Sequence, residues 1–215
     1  MFTQKQLSAL SEVAEIKRIY SVVERQLSGF KGPSCVVTSA EAQEGKTSLL
    51  TLLALTAASY GEKKVLAVDF NWYRPCLHLT FGVEQEFDLP ALLEGQELEA
   101  QVQKTPFPNV EVITAPQADQ ETKSTAAAVV AGAVKILNEA KKVYDLVLVD
   151  TAAIYPANRN MVDPVVISAE ADGVIVSVLG GVSPRQQVKR SIMALETAGA
   201  NVVGTVLNQW RNPIF

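Results

Sequence analysis

Residues 34–47 read SCVVTSAEAQEGKT, and this stretch decides how the rest of the chain is interpreted. Residues 34–38 form a short run with β-branched residues, which favours a strand. A loop with Gly45 follows, and residues 46–60 (KTSLLTLLALTAASY) are typical of a buried helix. A strand, a glycine-bearing loop and a helix in this order favour anion binding, because the first N–H groups of a helix have no partner within it.

The sequence GKT at the start of that helix is typical of a phosphate-binding loop, or P-loop. Gly45 lets the backbone approach a phosphate because it has no Cβ atom. Lys46 is expected to contact the terminal phosphates, and the hydroxyl of Thr47 is expected to coordinate Mg²⁺. Together with their neighbours Glu44 and Ser48, these residues are the predicted binding segment for a nucleotide triphosphate.

The strict P-loop pattern GxxxxGK[ST] is incomplete, because Ala40 occupies the position of its first glycine. Taken alone, the tripeptide GKT is also compatible with a chance sequence in a turn. The strand before it, the helix after it and the aspartates that end two later strands favour the phosphate-binding interpretation.

Two aspartates end apolar runs that predict strands: Asp69 ends KVLAVD (residues 64–69), and Asp150 ends DLVLVD (residues 145–150). Ligands of parallel sheets bind at the carboxyl ends of the strands, so both carboxylates are expected beside the P-loop. Mg²⁺ prefers oxygen ligands and retains several waters, which makes Thr47, Asp69 and Asp150 the predicted metal site. The alternative for each aspartate is that it caps the next turn.

Strand-like and helix-like segments alternate along the chain, and the strand-like segments are continuous apolar runs. This alternation predicts an α/β fold, a three-layer P-loop NTPase-like sandwich with a mostly parallel sheet. Residues 1–215 are predicted to form a single nucleotide-binding domain, with an N-terminal helix at about 7–29 and a core at 33–208. A further helix is predicted to begin at Pro184, with Ser183 as its N-cap.

The composition argues against several classes of partner. The net charge is −4 and the pI is near 5.2, so no nucleic-acid partner is expected. Cys35 and Cys76 do not form a CxxC pair or a zinc cluster and fit a reducing cytosol. No segment approaches the roughly 20 apolar residues that span a bilayer. We therefore expect a cytoplasmic protein, for which any association with the inner face of the membrane must come through a partner.

Four segments carry a family resemblance: TSAEAQEGKT (38–47), VDFNWYRP (68–75), LVLVDTAA (146–153) and GTVLNQ (204–209). With them, the chain resembles the cytoplasmic domains of bacterial tyrosine kinases of capsule and exopolysaccharide systems, and more distantly the deviant-Walker ATPases of the ParA and MinD type. The resemblance implies ATP or ADP with Mg²⁺ as ligands, and it places Asn208 against the adenine.

The same resemblance implies how the protein assembles. The family carries an E-x-x-R-x-x-R motif in its N-terminal helix, used in ring assembly, so a homo-oligomer through this helix is expected. Glu15 and Arg18 match that motif, but Ser21 stands where the second arginine is expected. The partner that the resemblance implies is a membrane-anchored polysaccharide co-polymerase that activates the kinase.

Several other positions depart from the family motifs. The P-loop has Ala42 and Gln43 in place of proline and glycine, and a left-handed backbone at Gln43 would cost roughly 1–2 kcal/mol. Asn71 replaces the second aspartate of the VDxDxRRP motif. The remaining changes are Tyr73 for the first arginine of that motif, and Ala152 and Ala153 for paired prolines after Asp150. The family usually ends in a tyrosine-rich tail, whereas no tyrosine follows Tyr155 here.

Three functions are compatible with these residues. The first, implied by the resemblance, is an ATP-dependent protein-tyrosine autokinase that regulates capsule or exopolysaccharide polymerisation and export, with Lys46, Asp69 and Asp150 as catalytic residues. The second is a catalytically weakened module of the same system that binds ATP or ADP. The third is a ParA- or MinD-like ATPase, a class that usually carries an early P-loop lysine where this chain has Glu41 and its neighbours.

Overall fold

A computed structural model describes residues 3–117, 125–155 and 162–209 of the chain. The strands of the described part are β1 (Ser34–Ser39), β2 (Val65–Phe70), β3 (Gln103–Lys104), β4 (Val110–Ile113), β5 (Leu146–Thr151), β6 (Gly173–Leu179) and β7 (Val202–Asn208). Its α helices are α1 (Gln4–Ser11), α2 (Ala14–Gln26), α3 (Lys46–Ser59), α4 (Leu77–Phe81), α5 (Leu89–Leu93), α6 (Ala126–Val143), α7 (Pro164–Glu170) and α8 (Arg185–Thr197), and a 3₁₀ helix covers Leu98–Gln101.

The seven strands form one sheet in the order β3-β4-β2-β5-β1-β6-β7. Every neighbouring pair is parallel except β3 and β4, which are antiparallel. The sheet is therefore mostly parallel, as the sequence predicted, and β1 lies inside it between β5 and β6.

Helices cover both faces of the sheet. Successive residues of a strand point to opposite faces, so each apolar strand contributes side chains to a core on either side. Val36 and Val149 face the core that contains residues of α6, α7 and α8. Cys35 and Val37 face the opposite core, which contains residues of α1, α2 and α3. The predicted three-layer α/β sandwich is confirmed. Within the described residues, none of the helices is long and apolar enough to cross a membrane.

The segment predicted as one N-terminal helix over residues 7–29 forms two helices instead, α1 and α2. In a continuous helix the carbonyl oxygen of Ser11 would accept the N–H of Glu15. Here that oxygen accepts a hydrogen bond from the hydroxyl of Thr56 on α3, with an oxygen–oxygen distance of 3.0 Å. Val13, at the N-cap of α2, has an extended backbone with φ −66° and ψ 134°. Packing against α3 therefore divides the predicted helix.

The prediction that Ser183 is the N-cap of α8 was wrong. Pro184 holds the N-cap position, and no side chain caps this helix. The hydroxyl oxygen of Ser183 accepts the N–H of Leu179 at 2.7 Å, and the hydroxyl donates to the carboxylate of Glu44. A carboxylate is a stronger acceptor than a neutral group, which favours this arrangement.

Candidate nucleotide site

The loop between β1 and α3 has the backbone that a phosphate site needs. Gly45 lies at the N-cap of α3 in the left-handed region, with φ 83°. A Cβ at this position would lie 2.1 Å from the side-chain nitrogen of Asn208, and the left-handed backbone would strain any residue other than glycine. Gln43 is also left-handed, with φ 64°, as the sequence comparison anticipated for a position that is usually glycine.

Lys46 begins α3 and is 6% exposed. Its ammonium group donates a hydrogen bond to the hydroxyl of Ser39, at the end of β1, over 2.9 Å. Burial lowers the pKa of Lys46, while the nearby carboxylates of Asp150 and Glu44 favour its charged form. The amine is thus held in a buried, polar position beside the loop, where a bound anion would stabilise its charge.

Thr47 and Asp150 come into direct contact. The Thr47 hydroxyl donates to Oδ2 of Asp150 over 2.5 Å. Asp150 is fully buried, and its other oxygen, Oδ1, has no hydrogen-bond partner among the described residues. Unsatisfied buried carboxylate oxygens are rare because each costs free energy. A cation, or water bound to one, would satisfy this oxygen, so the residues present fit Mg²⁺.

Asp69 and Asp150 are neighbours in the sheet, since their Cα atoms are paired in the register of β2 and β5. Burial raises the pKa of Asp69 to about 6. Burial also raises the pKa of Asp150 to about 7, and the charge of Asp69 adds to this rise. A divalent cation would oppose both effects by stabilising the ionised carboxylates.

The carboxylate of Asp69 is already engaged with the backbone of the following loop. Oδ1 accepts the N–H of Asn71 at 3.0 Å, and Oδ2 accepts those of Cys76 at 3.1 Å and Leu77 at 3.0 Å. Leu77 begins α4, so the alternative stated for this residue, a cap of the next turn, is what the structure shows. Asp150 therefore fits the predicted metal-binding role better than Asp69 does.

The remaining predicted residues surround the loop. Glu44 is buried, and the Asn208 side-chain nitrogen lies 3.5 Å from the Glu44 carbonyl oxygen. Ser48, in the first turn of α3, is exposed. The structure therefore brings all of the predicted site residues to one end of the sheet, where β1, β2, β5 and β7 have their carboxyl ends.

Three serines of this site were not predicted from the sequence. Ser39 holds the ammonium group of Lys46, while Ser177 and Ser183 bind the backbone and the carboxylate of Glu44. Ser39 directly precedes the loop, so its position in the sequence could have indicated a role in the site. Ser177 and Ser183 approach from β6 and the segment after it, and no local pattern marks them.

The aromatic residues of the loop after β2 differ in their surroundings. Trp72 is buried beside Phe70 and Phe87, and its indole N–H donates to the carbonyl of Asp69 over 3.0 Å. Tyr73 is 53% exposed, and the Arg74 guanidinium lies 5.6 Å from the centre of its ring. Trp72 therefore supports the loop, whereas Tyr73 and Arg74 remain available at the surface.

Comparisons with known proteins show what the chain is similar to in sequence and in fold. No protein-family model matches the chain. It is 28% identical over 193 residues to the tyrosine-protein kinase YwqD of Bacillus subtilis, which covers 88% of this chain and 75% of YwqD. It is 29% identical over 175 residues to the tyrosine-protein kinase Etk of Escherichia coli, which covers 80% of this chain but only 23% of Etk.

Solved structures show the same relationship at the level of the fold. The kinase domain of E. coli ETK superposes with a TM-score of 0.79 at 25% identity, covering 92% of this chain and 76% of that domain. MinD of Pyrococcus horikoshii, complexed with Mg-ADP, has a TM-score of 0.66 at 22% identity, over 83% of this chain and 71% of MinD. The chain is therefore a P-loop α/β domain whose relatives in sequence are bacterial tyrosine-protein kinases, which confirms the resemblance predicted from its motifs.

Proposed function

We propose that the chain binds ATP or ADP, with Mg²⁺, at the loop between β1 and α3. The observation that carries the proposal is the contact between Thr47 and Asp150, in which Asp150 Oδ1 has no hydrogen-bond partner within the described part of the chain. Backbone N–H groups at residues 44–48 would bind the phosphates, and the ammonium group of Lys46 would neutralise part of their charge. Asn208 would contact the base.

Thr47 and Asp150 are the residues that would hold Mg²⁺, with Asp69 acting on it through water. Bound Mg²⁺ would neutralise negative charge on the phosphates. The ligand set is all oxygen, as this ion prefers. Because Asp69 already accepts three backbone hydrogen bonds, its contribution is expected to be smaller than that of Asp150.

The reaction we propose is transfer of the γ-phosphoryl group of ATP to a tyrosine hydroxyl, as the names of the relatives in sequence suggest. Phosphoryl transfer depends mainly on positioning and charge neutralisation. Lys46 would orient the phosphates, and Asp150 would keep the Thr47 hydroxyl in place. The acceptor tyrosine would lie on another chain or on a segment outside this sequence.

A weakened module that binds nucleotide but transfers slowly is the second candidate, and one observation favours it. Both oxygens of Asp69 accept backbone N–H groups, and the next motif position is the neutral Asn71. Residues 69–76, all of them described, therefore offer no free carboxylate to accept a proton from a tyrosine hydroxyl. Binding would then regulate assembly rather than support rapid turnover.

A ParA- or MinD-like ATPase remains a third candidate because MinD shares the fold. Such proteins dimerise on binding ATP, and this chain has no lysine early in its P-loop to reach across a dimer. Sedimentation with ADP and with ATP tests whether dimerisation of this chain depends on ATP. A monomer in both states argues against the third one.

The partners that we propose rest on the family resemblance and on exposed residues of α2. Glu15, Arg18 and Ser21, which occupy the positions of the family assembly motif, are all exposed on this helix. This exposure supports a homo-oligomer through α2 and association with a membrane-anchored polysaccharide co-polymerase. We propose on the same basis that the protein acts in the cytoplasm at the membrane surface, as a single domain in capsule or exopolysaccharide production.

Incubation with labelled ATP, Mg²⁺ and a tyrosine-rich polypeptide tests the proposed activity. We expect phosphotyrosine to form, and the Lys46→Ala variant to form less than about one hundredth as much. Binding without transfer to any acceptor would favour the weakened module. The variant's fold is checked by circular dichroism before the rates are compared.

A further inference from the structure

Glu44 carries a carboxylate inside the loop that is proposed to bind polyphosphate. The residue is 2% exposed. Its Oε2 accepts the N–H of Glu41 at 3.1 Å, and its Oε1 accepts the hydroxyl of Ser183. Its carbonyl oxygen accepts the hydroxyl of Ser177 at 2.6 Å. A buried negative charge beside a phosphate site repels the ligand more strongly the closer it lies, so the hydrogen bonds that fix the position of this carboxylate bear on binding.

Ser183 belongs to a closed chain of contacts between the phosphate loop and β7. The hydroxyl oxygen of Ser183 accepts the N–H of Leu179 at 2.7 Å. The next residue, Gly180, donates its N–H to the carbonyl oxygen of Asn208 at 2.8 Å. The side-chain nitrogen of Asn208 returns to the carbonyl oxygen of Glu44 at 3.5 Å. The segment 179–183 thus contacts both the phosphate loop and the residue proposed to contact the base.

We propose that Ser183 is a positioning residue for nucleotide binding, an inference that rests on the proposed function. It acts through Glu44, whose carboxylate it fixes away from the phosphates, and through the backbone of residues 179–180, which orients Asn208. Removing the hydroxyl leaves Oε1 of Glu44 with no hydrogen-bond partner among the residues that the structure describes, so that only the Glu41 contact of that set restrains the carboxylate beside a bound phosphate. Recognition of the phosphates and of the base is coupled through this one side chain.

The variants Ser183→Ala and Ser183→Thr separate this role from a purely structural one. We expect Ser183→Ala to raise the dissociation constants of ATP and ADP about tenfold. Ser183→Thr keeps a hydroxyl and is expected to stay within about threefold of the unmodified protein. Ser191→Ala is the matched control, because Ser191 is buried in α8 and its hydroxyl donates to the carbonyl of Gln187, in its own helix, at 2.9 Å.

Coupling is measured with Asn208→Ala in two backgrounds, the unmodified chain and Ser183→Ala. If Ser183 helps to orient Asn208, the loss of ADP affinity caused by Asn208→Ala is expected to be at least about threefold smaller when Ser183 is already alanine. Multiplicative losses would overturn the coupling, because they would show that the two residues act independently.

Calorimetry with ADP on all of these folded variants completes the test. If the unmodified protein binds ADP and Ser183→Ala binds it equally well, the positioning role is overturned while the proposed nucleotide site stands. If Ser183→Ala lowers only the melting temperature, to the same extent as Ser191→Ala, Ser183 is structural and the inference is wrong. If the unmodified protein binds no nucleotide, the proposed function itself fails.

Discussion

The Thr47 hydroxyl and the Asp150 carboxylate are 2.5 Å apart, although 103 residues separate them in the sequence. Thr47 is in the first turn of α3, and Asp150 is near the end of β5, beside β1. The fold therefore places the hydroxyl at the start of a helix against a fully buried carboxylate. This pair is where we expect magnesium to act.

Thr47→Val removes the hydroxyl while keeping the β-branched shape. We expect the affinity for ATP in the presence of Mg²⁺ to fall about 10–100-fold, with a change of less than about threefold when Mg²⁺ is absent. Titration calorimetry with and without Mg²⁺ measures both. Thr51→Val is the matched control: Thr51 lies one turn later in α3, and its hydroxyl bonds the Thr47 carbonyl at 2.8 Å. An equal loss in both variants would contradict a metal-linked role for Thr47.

The stability of the protein without ligands is expected to fall as the pH rises from about 5 to 8. The pKa values of Asp69 and Asp150 are raised by burial, to about 6 and about 7. A carboxyl group with a raised pKa stabilises the fold below its unfolded value and loses that contribution as the pH rises through the folded value. The change is expected to be on the order of 3 kcal/mol in the free energy of unfolding.

Urea unfolding at several pH values measures this dependence. Asp150→Asn is expected to flatten the curve, since it removes the group with the higher pKa, whereas Asp145→Asn, at the other end of β5, is expected to keep it. Stability that rises over this pH range would contradict the assignment. Saturating Mg²⁺ and ATP should reverse the trend by binding the ionised form.

Gln43→Gly is expected to stabilise the protein slightly. A left-handed backbone costs a residue with a Cβ roughly 1–2 kcal/mol, and glycine removes this strain. Part of the resulting stabilisation is lost, because glycine makes the unfolded chain more flexible. We expect a net increase of about 0.5–1 kcal/mol in the free energy of unfolding. Gln43→Ala, which retains the Cβ, serves as the control and should change stability by less than about 0.5 kcal/mol. A loss of stability in Gln43→Gly would show that the Gln43 side chain makes a stabilising contact.

Asn71→Asp restores the acidic residue of the family motif. If the missing carboxylate limits phosphoryl transfer, the variant should transfer roughly 10–100 times faster, within the range that a positioned general base supplies. Single-turnover rates with labelled ATP measure the change. No increase, with ATP binding intact, would show that Asn71 is not what limits the site.

The central part of the site could be predicted from the sequence, because a local motif and a general rule of parallel sheets indicate where its residues lie. The GKT tripeptide after a strand predicts where Lys46 and Thr47 lie. The rule that ligands bind at the carboxyl ends of parallel strands places Asp69 and Asp150 at the same edge. The first rule depends on adjacent residues, and the second depends on a parallel sheet, which the alternation of strand-like and helix-like segments predicts.

Other features depend on contacts between distant parts of the chain, which local patterns do not encode. The break between α1 and α2 is linked to Thr56, which is 45 residues from Ser11. Ser183 resembles an N-cap in sequence, but its hydroxyl binds Glu44, which is 139 residues away. For Asp69 the sequence left both a metal-binding role and a capping role open, because the choice depends on how residues 71–77 fold back onto it.

The measurement that tests the account most directly is calorimetric titration of the unmodified protein with ATP, with and without Mg²⁺, beside the Lys46→Ala variant. The account predicts a single site with a dissociation constant well below about 1 mM, tighter with Mg²⁺ and lost in the variant. Absence of binding at millimolar ATP, or equal binding by Lys46→Ala, would contradict a nucleotide site at this loop.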